Sequence, residues 1–380
     1  MIKRVKHGIM PTEYDDKKRA DACRAKQENT TIKRAKHTIP LLLSAALLFC
    51  ALLGGCAAEQ TPERYEQVFF DVFDTVTTVV VYDQSEQQAN AYMDQLHALL
   101  LAYHQKYDIY HAYDGLNNLY TVNQNAGVAP VAVDRDILDL IAYAKEMDLV
   151  TNGRMNIAMG SVLAIWQSYR DAGIDQPESA TLPPMADLQA ANEHTSIDSL
   201  VVDPEAGTLY LSDPETQLDV GAIAKGYAAQ QAVEAMKAAG VDSMLLSIGG
   251  NVCSIGTRAD GSSWKVGIRD PYSDGNLCVV QVSGQNVVTS GTYERYYTVD
   301  GKRYHHIIDA ATLMPSVLYD SVTVISADSG LADALTTGLF CMPIDEGMAL
   351  IASLPDTEAL WVLSDGTQKT SDGFDAYLAE

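Results

Sequence analysis

The spacing of apolar positions changes character several times along the chain, and each change marks an element. Residues 68–82, VFFDVFDTVTTVVVY, are dense in β-branched and aromatic side chains, which pack well on a pleated surface; they predict a long strand or a first hairpin. Residues 87–113 instead place Ala91, Met93, Leu96, Leu99, Leu100 and Tyr103 at roughly helical intervals and predict a helix, after which 116–127 turns polar and reads as a loop. A second helix is expected over 134–149, closed by Thr151-Asn152-Gly153, and the Pro-, Asp- and Ala-rich stretch 172–194 reads as a surface excursion. Paired strands are expected at 200–203 and 208–211. An Ala-rich helix follows over 222–239, with Gly240 where a C-terminal glycine cap belongs. Strand 244–248 leads into the turn Gly249-Gly250-Asn251. Further strands are expected near 264–268, 277–283, 286–289, 294–299 and 321–326, and the last strong helix over 331–340. Helices alternating irregularly with hairpin-like strands predict an α+β fold with mixed or antiparallel sheets and packed helices, not a doubly wound parallel sheet.

The chain ahead of the first strand is of another kind. Lys33, Arg34 and Lys36 precede an uncharged apolar run from Ile39 to Leu53, ending in Leu53-Gly54-Gly55-Cys56. The run counts 15 positions, short of the roughly 20 a membrane-spanning helix needs, and small residues precede the cysteine, so it reads as an export signal. Its last four residues resemble a bacterial lipobox, which implies cleavage and acylation at Cys56; stable anchoring then takes more than one lipid chain. The expected organisation is a signal with an N-terminal extension over 1–55, a lipidated Cys56 and polar tether over 56–67, and one working domain over 68–380, held at the membrane outside the cytoplasm. Residues 1–30 are long and of mixed charge for the start of a signal, which puts the start position in question, and initiation at Met10 does not cure this.

Charge sharpens the picture. The whole chain carries −24; residues 1–55 hold 11 of the 26 basic and 5 of the 50 acidic residues, leaving 15 against 45, a net −30. That charge argues against nucleic acid and anionic headgroups as direct partners. Past Cys56 only Cys253, Cys278 and Cys341 remain, well separated and without a CxxC, which suggests neither a disulfide framework nor a thiolate metal site.

Three segments carry candidate chemistry. Gly221-Ala222-Ile223-Ala224-Lys225-Gly226-Tyr227 sits at a strand-to-helix junction, where unpaired N–H groups and Lys225 would stabilise a phosphate, with Gly249-Gly250 as a second glycine turn. It is not a Walker A loop, because Lys precedes Gly, and alone it is equally a glycine-tightened helix start. Asp333 and Thr337, at i and i+4, put a carboxylate and a hydroxyl on one helix face, hard oxygen donors that suit Mg²⁺, though such pairs are common on polar faces. Thr289-Ser290-Gly291 is followed by His305-His306, of which strand alternation allows one to enter a given site; His306 could act as acid, base or phosphate donor, or be an ordinary core histidine.

Taken in order, LDVGAIAKGYA, SIGGN, VVTSGTYERYY, YHHIID and SVTVISADSGLADALTTGLF, with FDTVTTVVVYD, YDIYHAYDGLNNLYTVNQNAG and GRMNIAMGSVLAIW before them, resemble the ApbE-type FAD:protein FMN transferases over about residues 68–345. The resemblance implies a T-fold-like single catalytic unit that cleaves FAD, attaches FMN through a phosphoester to a threonine or serine of an acceptor protein, and releases AMP. It implies Mg²⁺ on Asp333, Thr337 and the backbone carbonyl of Ala224. Lys225 and Gly249-Gly250-Asn251 would lie near the phosphates and adenosine, Thr289, Ser290 and Gly291 along the flavin nucleotide, and His306 near the reacting phosphate. Tyr110 would stack on the isoalloxazine, and Phe73-Asp74-Thr75 would form the first substrate-binding segment. His306 and Asp333 are the candidates for taking the acceptor's proton. The acceptor would belong to an extracytoplasmic electron-transfer system.

Departures from the family's commonest pattern are Asn251 and Asn156 in place of Asp, Ala222 in place of Gly, and Ala310-Ala311-Thr312-Leu313 in place of Pro-Arg-Thr-Gly. Two alternatives share the same site: an FAD pyrophosphatase that uses water, and a flavin-binding lipoprotein without turnover.

Overall fold

The computed structural model describes residues 61–379, so the export signal over 1–55 and the lipidation at Cys56 lie outside the described residues. The described residues belong to one compact unit. Its frame is an eight-stranded sheet whose strands lie in chain order: β1 (Glu63–Val72), β2 (Thr75–Asp83), β3 (Met244–Ile248), β4 (Asn251–Ile255), β5 (Asn286–Gly291), β6 (Tyr319–Ser326), β7 (Glu358–Leu363) and β8 (Gln368–Thr370). Every neighbouring pair is antiparallel, which places the fold in the α+β class expected from the sequence. The alternation of β2 decides its two faces. Val79 and Val81 point to one side, where Leu246 and Ile248 join Met93, Leu96 and Leu100 of α1 (Glu86–Tyr107) and Ala229, Ala232 and Met236 of α6 (Ala224–Ala238). Val80 points to the other, where an antiparallel ribbon, Trp264–Arg269 with Asn276–Val282, covers it with Trp264, Val266 and Val280. Each fully buried Val, Leu, Ile or Met side chain among them contributes about 1.5–3 kcal/mol.

β1 begins inside the segment expected to be tether. Tyr65 packs against the core beneath the sheet while Glu63, Arg64 and Glu66 face solvent, a charged edge of the kind that edge strands tolerate. Phe73 and Asp74 join β1 to β2 as a two-residue turn, both with left-handed φ of 53° and 50°. Such turns favour Asn-Gly, and a non-glycine residue there costs roughly 1–2 kcal/mol.

Helix α1 is capped by Ser85, which accepts the Gln88 N–H, and it stops at Tyr107, short of the expected 113. The stop is chemical: Asp108 takes the N–H groups of Tyr110 and His111 and turns the chain away from the helix axis. A short helix α2 (Leu119–Gln124), capped by Asn118, occupies the expected loop, and α3 (Arg135–Val150) is where the periodicity put it. Residues 172–194, expected to be irregular, hold the end of α4 (Gly160–Asp175) and α5 (Met185–Asn192), which bury Val162, Trp166 and Leu188 against Tyr297, Val299, Ile308 and Leu313. Gly240 ends α6 with φ 95°, the cap predicted for it. After α7 (Ser329–Phe340) comes a further helix, α8 (Ile344–Ser353), so 331–340 is not the last. Among the described residues no helix is long and apolar enough to cross a membrane, and Cys253, Cys278 and Cys341 are free.

Candidate active site

A cavity of about 370 Å³ is walled by α4, the start of α6, the turn after β3, the end of β5, the segment around His306, and α7. Asp74, Thr75, Tyr110, Lys225, Gly249, Asn251, Thr289, Ser290, Gly291, His306, Asp333 and Thr337 all line it, so tertiary structure brings together residues spread over 264 positions of sequence, from Asp74 to Thr337. Three expected residues stand apart. The Phe73 ring turns away into the core and meets His104 edge-on at 5.8 Å; Gly250 serves the turn with φ 98°; and the Ala224 side chain is buried, leaving only its backbone to serve a site.

Helix α7 is fixed at its start by Asp328, which accepts the N–H groups of Gly330 and Leu331. One turn on, Asp333 is buried, and one of its carboxylate oxygens accepts the Gly226 N–H at 2.7 Å. A Cβ on Gly226 would stand 2.3 Å from the Ser329 carbonyl and 2.4 Å from the Asp333 Cβ, so only glycine lets the start of α6 approach α7 this closely. The other Asp333 oxygen takes no protein hydrogen bond among the described residues, and Thr337 follows on the same face. Among those residues no three His, Cys, Asp or Glu gather as a metal cluster. A cation here would take mixed hard oxygens, a set that suits Mg²⁺ beside phosphate better than a transition metal.

Strand β5 is tied to this helix. Ser290 Oγ donates to Thr336 Oγ1 at 2.9 Å, Thr336 donates to the Asp333 carbonyl, and Thr289 shares a 2.8 Å bond with Thr323. On the opposite side, Gly249 takes φ 49°, and a Cβ there would meet Thr75 Oγ1 at 2.4 Å, which locks the β3–β4 turn onto the β1–β2 turn. Asn251 is buried, and its Nδ2 has no partner among the described residues. A buried donor left unpaired costs about 1–3 kcal/mol, so a ligand acceptor is the natural partner for it. An aspartate at this position would offer only acceptors.

Both His305 and His306 line the cavity, against the expectation of one. The strand carrying them ends at His305, so alternation does not govern His306. Their availability still differs. His305 spends both nitrogens on the chain, donating from Nε2 to the Ser316 carbonyl at 2.8 Å and accepting the Ile307 N–H at Nδ1. His306 donates from Nδ1 to the Arg295 carbonyl at 3.3 Å, which leaves Nε2 with a free lone pair. Burial, then the charges of Arg295, His305, Lys225 and Arg170, push its imidazole down to about 3.

Residues the sequence reading passed over complete the walls. Arg170 and Gln167 lie one turn apart on α4; Gln167 accepts the Tyr110 hydroxyl at 3.1 Å, and the Arg170 side chain, 18% exposed, has among the described residues only its neighbour Asp171 at 3.6 Å. Arg154 and Arg295 add two more cations. The helical spacing of Leu163, Trp166, Gln167 and Arg170 is the signal that would have found this face. Asp219 accepts the Gly221 N–H at 2.8 Å, and burial holds its carboxyl above the usual range. Of the departures from the family pattern, Asn156 is explained: its amide donates to the Thr195 carbonyl, a bond a carboxylate could not make. Leu313 keeps a glycine-like φ of 59°, held by Trp166, which donates to its carbonyl. Ala222 lines the cavity, and nothing in the structure explains its replacing a glycine.

Comparison with known proteins gives one answer. The ApbE family model matches residues 73–361. The FAD:protein FMN transferase of Treponema pallidum (strain Nichols) is 32% identical over 342 residues, covering 86% of this chain and 92% of the relative; one from Klebsiella pneumoniae (strain 342) is 35% identical over 244 residues, covering 63% and 73%. Among solved structures, the ApbE protein of Thermotoga maritima superposes with a TM-score of 0.74 at 27% identity, over 84% of this chain and 100% of that one. The flavin transferase ApbE of Vibrio cholerae has the same fold, with a TM-score of 0.71 at 24% identity over 83% and 100%. With a family match across most of the chain and a relative covered almost end to end, this protein belongs to the ApbE family.

Proposed function

We propose that the protein is an FAD:protein FMN transferase that joins FMN through a phosphoester to a threonine or serine of an acceptor protein and releases AMP. The observation that carries this reading is the convergence on one cavity of the Asp333–Thr337 pair, the free Nε2 of His306 and the cations Lys225, Arg170 and Arg295, in a chain of net charge −24. Asp74, Asp219, Glu294 and Asp333 also line the cavity and balance these cations and Arg154, so the site is positive only relative to the acidic chain around it, a setting that suits an anionic substrate bound together with a cation. Mg²⁺ held by Asp333, Thr337 and the Ala224 carbonyl would supply Lewis-acid neutralisation of the diphosphate.

The chain's own groups do the rest. Lys225, Arg170 and Arg295 hold the diphosphate, Asn251 Nδ2 donates to it or to the adenosine, and Tyr110 offers its ring to the isoalloxazine. The acceptor hydroxyl oxygen bonds to the FMN phosphorus as the bond from that phosphorus to the bridging oxygen breaks. AMP leaves with that oxygen, and the hydroxyl proton passes to His306 Nε2 or to Asp333. Before substrate binds, burial and then the surrounding charges hold His306 neutral. A bound diphosphate offsets those charges and raises the basicity of His306 as the substrate arrives. Lipidation at Cys56 would hold the enzyme outside the cytoplasm beside membrane-bound acceptors.

The test is incubation of the protein with FAD, Mg²⁺ and a hydroxyl-bearing acceptor segment, read by intact mass. An acceptor heavier by FMN, with one AMP per transfer, is expected. FAD binding with neither product sinks the reading, and FMN plus AMP that form equally without acceptor make the protein a pyrophosphatase.

A further inference from the structure

The turn that brings Asp74 and Thr75 to the cavity has left-handed backbone at both of its residues, neither of them glycine. Something outside the hairpin has to hold it. The Phe73 N–H donates to His104 Nδ1 at 3.1 Å, and the two rings meet edge-on. With Nδ1 accepting, the imidazole proton is on Nε2, facing the Tyr113 hydroxyl at 3.5 Å. Tyr113 in turn donates to Asp108 Oδ2 at 2.9 Å. Donors therefore run one way, from the Phe73 backbone through His104 and Tyr113 to Asp108, and each group carries the proton its neighbour needs.

Asp108 is the hub. Its carboxylate is 4% exposed, and Oδ1 accepts the N–H groups of Tyr110 at 2.6 Å and His111 at 3.1 Å. Although burial opposes ionisation, the hydrogen bonds from Tyr110, Tyr113 and His111 hold its carboxyl below the usual range. One buried carboxylate thus grips the Tyr110 loop directly and the Phe73–Asp74 turn through two intermediaries, Tyr113 and His104. His104, Asp108 and Tyr113 themselves do not line the cavity.

We propose that Asp108, Tyr113 and His104 are positioning residues that set the Tyr110 loop and the Phe73–Asp74 turn at one fixed separation, so that Tyr110 and Asp74-Thr75 grip FAD together. This rests on the reading of the cavity as an FAD site. The relay's contribution is to binding: it orients the two segments before substrate arrives and takes no part in proton transfer.

The test uses the full chain. The Kd for FAD is measured without divalent metal, by quenching of flavin fluorescence, beside the thermal midpoint, kcat and hydrogen exchange at the Phe73 amide. Tyr113→Phe and His104→Ala are expected to raise Kd about tenfold with kcat at saturating FAD nearly unchanged, and His104→Ala to expose the Phe73 amide to exchange. His104→Asn, whose amide oxygen can take the place of Nδ1, is expected to restore both Kd and amide protection. Wild-type Kd in Tyr113→Phe and His104→Ala overturns the proposal. Equal losses in His104→Ala and His104→Asn also overturn it, because ring volume and not the hydrogen bond would then matter. Failure of the unaltered protein to bind FAD removes the functional reading and the proposal with it, a result distinct from normal binding in the variants.

Discussion

The Gly226 amide donates to one carboxylate oxygen of Asp333 at 2.7 Å, across the contact between the start of α6 and the face of α7 that lines the cavity. That bond fixes which oxygen is left for a ligand. Because a Cβ at 226 would overlap the Ser329 carbonyl, Gly226→Ala has to push the helices apart. It is expected to lower stability by about 1–3 kcal/mol and to reduce turnover with it. Asp333→Asn can keep the Gly226 bond through its amide oxygen, so its thermal midpoint should stay near that of the unaltered protein while turnover falls on the order of 10²-fold or more. Melting curves beside FMN transfer separate the two, and full activity in Asp333→Asn would remove the metal site.

His306 predicts an acid sensitivity with a definite sign. Its folded-state value near 3 lies below the ordinary 6.5, so between those values the unfolded chain binds a proton the folded one refuses. Its effect on stability is absent above about pH 6.5 and turns increasingly unfavourable as pH falls toward 3. His305, also lowered chiefly by burial, acts in the same direction. His306→Gln, which does not titrate, should therefore lose less thermal midpoint between pH 7 and pH 5 than the unaltered protein. NMR of the His306 ring should show no titration over that range in the empty enzyme.

Arg170 and Arg295 are expected to act on the diphosphate and on His306 together. Replacing either with Gln should raise the KM for FAD about tenfold or more, with a salt dependence shallower than that of the unaltered protein. The same changes should move the His306 titration upward, because both arginines depress it. An unchanged KM in both variants would place the diphosphate elsewhere.

Cys56→Ser tests the proposed anchor. The protein is expected to move from the membrane to the soluble fraction, since acyl chains supply the binding at about 0.8 kcal/mol per buried CH₂. Transfer to an acceptor in solution should be unaffected while transfer to a membrane-held acceptor falls. Retention at the membrane would mean that another segment holds it.

Much of the framework was legible because it is local. Helix α3, strands β2 and β3, and the cap at Gly240 are written in neighbouring residues: periodicity of 2 or 3.6, β-branching, and a glycine with φ 95°. The misread elements are those where a side chain overrules the pattern. Asp108 stops α1 before its apolar spacing runs out. Helix α4 extends into 172–194 despite the Asp- and Pro-rich composition because Trp166 and Val162 bury themselves in a distant hairpin's core.

The site divides along the same line. The motif residues Lys225, Thr289, Ser290, His306, Asp333 and Thr337 are visible as chemistry in short segments, and so is the family resemblance they carry together. That they face one cavity, that Arg170, Arg295 and Asp219 join them, and that Phe73 turns away from it depend on contacts between residues far apart in sequence. Which Asp333 oxygen is free, and which His306 nitrogen holds a lone pair, are settled by single backbone partners, Gly226 and the Arg295 carbonyl. No local pattern encodes such partners, because hydrogen bonding and burial act through space, and only the closed fold sets those distances.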